Sequence, residues 1–172
     1  MRKLILAIAL AAAASLTVVA AVAIADGGGS HRANLDGYQE VVGPGSISTT
    51  GHGTLRLRVE SDRIHFRLRY FDMENPVTVA HIHFAQRHVG GGVIAFLCGG
   101  GGEDPCTSPN GDISGFITPP EIIGPSGQGI EPGSFGEAVR AIRAGATYAN
   151  VHSSRWPMGE IRGQISGRGN DD

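Results

Sequence analysis

Between Thr54 and Tyr70, polar and apolar residues alternate almost without a break. Leu55, Leu57 and Val59 interleave with Thr54, Arg56, Arg58 and Glu60. After Ser61 and Asp62 the series resumes, with Ile64, Phe66, Leu68 and Tyr70 set between Arg63, His65, Arg67 and Arg69. Successive side chains of a strand point to opposite faces. Period-two alternation on both sides of a short turn therefore predicts a hairpin with one buried and one wet face. Further strands are predicted over Val77–Phe84, over the apolar run 93–97 that follows three glycines, over 113–117, around 148–152 and over 160–165. Residues 121–133 read as a Gly/Pro loop. Ser134 and Glu137 then have the spacing of a capping box, and Phe135, Ala138, Val139 and Ile142 fall on one helical face, with Gly145 placed to end the helix. No internal repeat is present. Seven to eight short strands with one short helix predict an all-β fold: an antiparallel β-sandwich of the immunoglobulin-like or Cu/Zn-dismutase-like Greek-key kind.

The ends of the chain bound its compartment. Arg2 and Lys3 precede an almost wholly apolar run, 4–24, and Ala23-Ile24-Ala25 offers a small-residue cleavage site. Residues 1–25 are expected to be a signal peptide, with a retained anchor as the competing reading. Residues 26–30 read as a flexible tether, 31–166 as one domain and 167–172 as a disordered polar tail. The expected location is outside the cytoplasm: secreted, periplasmic or associated with the cell envelope. No later run is apolar enough to span a membrane. Without Arg2 and Lys3, the 14 basic residues fall to 12 against 16 acidic ones, a net charge of −4 that argues against nucleic acid as a partner. Cys98 and Cys106 are the two cysteines, and in an exported chain so close a pair reads as one disulfide closing a glycine-rich loop.

Candidate chemistry concentrates in three histidines. His81 and His83 sit at i and i+2 of one predicted strand and share a face; Tyr148, Asn150 and His152 share a face of another. If those strands are neighbours, three imidazoles meet, and neutral imidazole suits copper or zinc. Glu160 is the nearest carboxylate candidate, Met158 a soft ligand for copper, and His88 a fourth ligand on a Gly-flanked loop. The alternative is structural: each imidazole donates to a carbonyl or to Glu160 and pins two strands together. Arg56, Arg58, Arg63, Arg67 and Arg69 form a second feature. On the predicted hairpin they share the wet face, either as an anion-binding surface or as solvated arginines paired with Glu60, Asp62 or other acids. Catalysis finds no constellation: no G-x-S-x-G, no pair of opposed carboxylates, and cysteines that read as paired. Copper/zinc dismutases also carry an H-x-H on a sandwich strand, but their zinc-loop ligands have no counterpart between His83 and His152 except His88.

Four segments carry a family resemblance. They are Leu35-Asp36-Gly37-Tyr38-Gln39-Glu40-Val41, Ala80-His81-Ile82-His83, Tyr148-Ala149-Asn150-Val151-His152 and Gly159-Glu160-Ile161-Arg162-Gly163-Gln164. Together, over about 33–165, they resemble the chordin-type (CHRD) domain. The resemblance implies an extracytoplasmic β-sandwich module, found alone in microbes and repeated in chordin, with no agreed activity. Two departures are Val41-Val42-Gly43-Pro44-Gly45, where the family has a Pro-rich stretch, and Phe84, where a small residue usually follows the H-x-H. The expected function is a secreted, non-catalytic binding or structural module with a protein or polysaccharide partner and no certain cofactor. The alternative is a copper- or zinc-binding protein using His81, His83 and His152 for metal handling or redox protection. Oligomeric state is not legible.

Overall fold

Alternation along the chain becomes eight antiparallel strands in the computed structural model, which describes residues 29–167. They are β1 (Ser30–Asp36), β2 (His52–Val59), β3 (Ile64–Phe71), β4 (Val77–Phe84), β5 (Gly92–Cys98), β6 (Gly111–Ile117), β7 (Thr147–Ser153) and β8 (Ile161–Gly167), with one helix, α1 (Phe135–Arg143). The expectations for 1–25, and for most of the tether and tail, lie outside the described residues. β1 and β8 each reach one residue beyond the expected 31–166 domain. Among the described residues no helix is long and apolar enough to cross a membrane.

All eight strands hydrogen-bond into one sheet, in the order β5-β4-β7-β8-β1-β2-β3-β6. The expected sandwich is thus a single continuous sheet folded over on itself, with its edges β5 and β6 approaching each other. The join between the halves is β1 against β8, where Asp36 lies opposite Arg162 and Arg32 opposite Ser166. β1 escaped the sequence reading as a strand because its inward series is His31, Ala33 and Leu35, only one of them large and apolar.

The predicted hairpin forms in register: Leu55 opposite Leu68, Leu57 opposite Phe66, Val59 opposite Ile64. These residues face a core completed by Ala80 and Ile82 of β4, Ala149 and Val151 of β7, and Ile161 and Ile165 of β8. Each large aliphatic side chain buried there contributes about 1.5–3 kcal/mol of transfer free energy. Helix α1 adds Val139 and Ile142 to the same core. Its end is as expected, with Gly145 at φ +66. Its start is not. Ser134 makes no side-chain cap, and the Glu137 carboxylate accepts instead from the Glu131 N–H at 3.1 Å. The preceding loop turns back far enough for Ser134 N–H to reach Glu131 O, at 2.9 Å, so the acid caps the turn rather than the helix. Cys98 and Cys106 are disulfide-bonded, tying the end of β5 to the loop that leads into β6.

Leu68, with no exposed surface, sits at the centre of the hairpin's inner face. Leu68→Ala is expected to lower unfolding free energy by roughly 2–5 kcal/mol, read as a shifted urea midpoint at unchanged slope.

Candidate metal centre

Three imidazoles converge because two strands of opposite direction bring their polar faces together. In β4 the residues Ala80 and Ile82 enter the core, so His81 and His83 take the other face. In β7 Ala149 and Val151 enter the core, so Tyr148, Asn150 and His152 take the same outer side. Antiparallel pairing sets His83 opposite Tyr148, His81 opposite Asn150, and His152 opposite Val79, one diagonal step from His81. Pairing of β4 with β5 shifts register on either side, between Ala80 and His81 and between Ile82 and His83, the kind of irregularity that re-aims side chains. The rings of His81 and His83 lie 4.4 Å apart, and those of His81 and His152 4.5 Å, each edge to face. One ligand nitrogen from each of the three lies within 4.8 Å of the others.

Backbone carbonyls set the tautomers. His83 Nδ1–H donates to Gly91 O at 2.8 Å, and His152 Nδ1–H donates to Pro157 O at 2.9 Å. A carbonyl only accepts, so in each neutral ring the lone pair stays on Nε2. His83 Nε2, His152 Nε2 and His81 Nδ1 are all buried and have no hydrogen-bond partner. Burial holds the rings uncharged. It pushes His81 down to about 2, helped by His83 and His152, and His83 down to about 4 against the pull of the Gly91 carbonyl; His152 is lowered by the same cause. Three neutral donors about one point form the donor set that zinc and copper accept.

Sequence reasoning placed Tyr148 and Asn150 on this face, and took Asn150 as a partner in a histidine network, but it missed the parts played by Arg162 and Gln164. Tyr148 stacks on His83 with ring centroids 4.6 Å apart and planes within 2°. The guanidinium of Arg162 lies 3.5 Å from the Tyr148 ring centroid, and its Nη2 donates to Val89 O at 2.8 Å. Gln164 Nε2 donates to Ala85 O at 3.0 Å. Arg162 and Gln164 of β8 thereby hold the 85–91 loop whose last carbonyl orients His83. Gly91 has no room for a side chain, since a Cβ there would lie 1.9 Å from Phe84 O. Beside them Asn150 Nδ2 donates to the buried Glu40 carboxylate and to Ile161 O. Burial lifts Glu40 to about 7, opposed by Asn150 and Arg162. Glu40 and Arg162 were visible only as letters of family motifs, because nothing in strand alternation marks a buried ion.

The weaker candidates go elsewhere. Glu160 is fully buried, but its Oε1 accepts from Thr49 Oγ1 at 2.8 Å and from Glu74 N–H at 3.2 Å; no imidazole donates to it, and it lies outside the close-packed nitrogens. It ties the loops around Gly51 and Met73 rather than the histidines, because β8 starts at Ile161 and leaves Glu160 at the strand's mouth. His88 is exposed at φ +65, and Met158 is exposed, packed over Gly43. The arginine face forms as expected, but four of its five members have acids: Arg58 and Arg63 pair with Glu60 at 2.6 and 2.7 Å, while Arg67 and Arg69 share Asp112 at 2.7 and 3.5 Å.

Fold and site together define an all-β, disulfide-containing module with a buried imidazole cluster on the outer face of its sheet. The chain belongs to the CHRD domain family, whose model matches residues 31–165. That is a family of extracellular-type modules, not a known enzyme family. No curated protein matches the chain, and no solved structure does.

The lowered imidazole values carry a pH dependence. Below the ordinary 6.5 the unfolded chain takes up protons that the folded cluster refuses. Stability present above pH 6.5 is therefore lost as pH falls toward 4, by up to about 1.4 kcal/mol per pH unit for each ring. Glu40 opposes this in part, because its folded value near 7 lies above the ordinary 4.5 and it gains stability on protonation. With three rings against one carboxyl, the net effect is a loss. Urea denaturation from pH 7 to 4.5 should show that fall, made shallower by His83→Asn and steeper by Glu40→Gln.

Proposed function

We propose that this protein is an exported, non-catalytic CHRD module that binds a single copper or zinc ion through His81, His83 and His152. The observation that carries the reading is the convergence of three buried imidazoles, each with a ring nitrogen that has no hydrogen-bond partner, two of which (His83 and His152) have their lone pair directed by a carbonyl on the far side of the ring. A buried polar atom left unpaired costs about 1–3 kcal/mol. Three such costs focused on one point are offset when a cation takes all three lone pairs. The donor arrangement follows a general pattern of metal sites, in which the non-ligating ring nitrogen donates to a backbone carbonyl and fixes the tautomer. Among the described residues the close-packed ligand atoms are three imidazoles with no carboxylate or thiol in the group, a donor set suited to holding a cation.

A purely structural reading also has an observation in its favour: His83 and His152 already tie the loops at Gly91 and Pro157 to the sheet. The two readings separate by experiment. Elemental analysis of protein from its native export route, followed by Cu(I) and Zn(II) titration of the apo form, should give one tight equivalent. His81→Ala and His152→Ala should each weaken it at least a hundredfold, while His88→Ala and Met158→Leu leave it unchanged. Saturating metal should also raise the melting temperature by mass action. No bound equivalent, or full affinity in His81→Ala, would sink the metal reading. In that case both variants would lower the melting temperature equally with and without metal.

A further inference from the structure

We infer that the outer face of β1, β2 and β3 is a binding groove for a carboxylate-bearing polysaccharide, independent of the imidazole cluster. Strand register places Arg32 opposite Arg56, and Arg56 opposite Arg67, so three arginines stand in one row across three adjacent strands. Neighbouring strands lie about 4.8 Å apart, which puts the row's outer members about 10 Å from each other. Like charges directly opposite across strands repel and destabilise a sheet. The next row is Ser30, Arg58, His65 and Phe116. Between the two rows lies a shallow groove of about 340 Å³, lined by Ser30, Arg32, Arg56, Arg58, His65 and Arg67. Among the described residues no acidic side chain lines it.

The acids nearby neutralise only part of this face. Glu60 serves Arg58 and Arg63 at one end, and Asp112 serves Arg67 and Arg69 at the other. Arg56, at the centre of the row, has no acid partner among the described residues. Phe116, 48 % exposed, ends the second row beside His65 at 5.2 Å, with the Arg63 guanidinium 4.6 Å from its ring centroid. A flat, open groove with guanidinium forks in a line and an aromatic ring at its end fits a chain of sugar rings with regularly spaced anions. The Arg56 fork takes a carboxylate two-pronged, Arg67 does so by exchange with Asp112, and the ring packs against a sugar face. A peptide is less well served. β1, β2 and β3 are each paired on both sides, so no strand edge is open for main-chain addition. The chain's overall negative charge disfavours a polyanion as dense as nucleic acid.

The test is titration of the full domain with polygalacturonate oligomers at low salt. Binding is expected to weaken steeply with added salt, to fall at least tenfold in Arg56→Ala and several-fold in Phe116→Ala, and to be untouched by Arg140→Ala on α1. Uncharged dextran should not bind. Because Arg56 is exposed and crowded by like charges, Arg56→Ala should fold with an unchanged or higher melting temperature, so a lost affinity cannot be blamed on unfolding. Binding that ignores Arg56→Ala, or no binding to polygalacturonate, would overturn the proposal. Equal or tighter binding of dextran sulfate would move the ligand to a sulfated polysaccharide, and of single-stranded DNA to nucleic acid; either result rejects the carboxylate assignment.

Discussion

A carbonyl oxygen can only accept a hydrogen bond, and two of them, on Gly91 and Pro157, determine what the chemical centre of this molecule offers. Each takes the Nδ1 proton of a buried histidine and so directs an Nε2 lone pair into the same small volume. The rest of the structure serves that arrangement. β4 and β7 must be adjacent, their apolar residues must fill the core, and the loops carrying the two carbonyls must be held against the sheet's outer face. β7 is consequently buried along its whole length, core on one side and loops on the other.

Holding the loops requires charge in a dry place. Arg162 is only 2 % exposed, yet it lies on the Tyr148 ring, donates to the 85–91 loop and faces the buried Glu40 carboxylate through their shared neighbours. Isolated, a buried guanidinium would be costly; stacked, hydrogen-bonded and near an acid, it becomes the strut between β8 and the loop. Glu40 bonds to Asn150, which lies opposite His81, so the ionic network and the imidazole cluster share a strand. Gly159 keeps that junction closed, since a Cβ there would press on both Glu40 and Asn150.

Local rules carried far in some elements and failed in others for identifiable reasons. Leu55 through Tyr70 read directly as a hairpin because a wet face forces alternation, and Val77–Phe84 kept its predicted bounds. The capping box at Ser134 did not form, because the loop before the helix supplied Glu137 with a different donor. Glu160, the carboxylate nearest His152 along the chain, looked like a partner for the histidines; a strand start at Ile161 turned it toward Thr49 instead. On the arginine face, alternation identified which side chains share a side, while cross-strand register decided that Arg67 and Arg69 meet Asp112 and that Arg56 stands between Arg32 and Arg67.

By itself the sequence determined an all-β chain of short antiparallel strands, the disulfide between Cys98 and Cys106, and the pairing of His81 with His83 on one face, because each of these depends on residues close together along the chain. Only the tertiary structure decided that β7 lies beside β4, that Arg162 and Tyr148 rather than Glu160 support the imidazoles, and that Arg32 joins the row formed by Arg56 and Arg67. Those contacts link residues tens of positions apart. Which distant partner a side chain meets is set by strand order and register, and these in turn follow from how the whole set of apolar faces closes over one core.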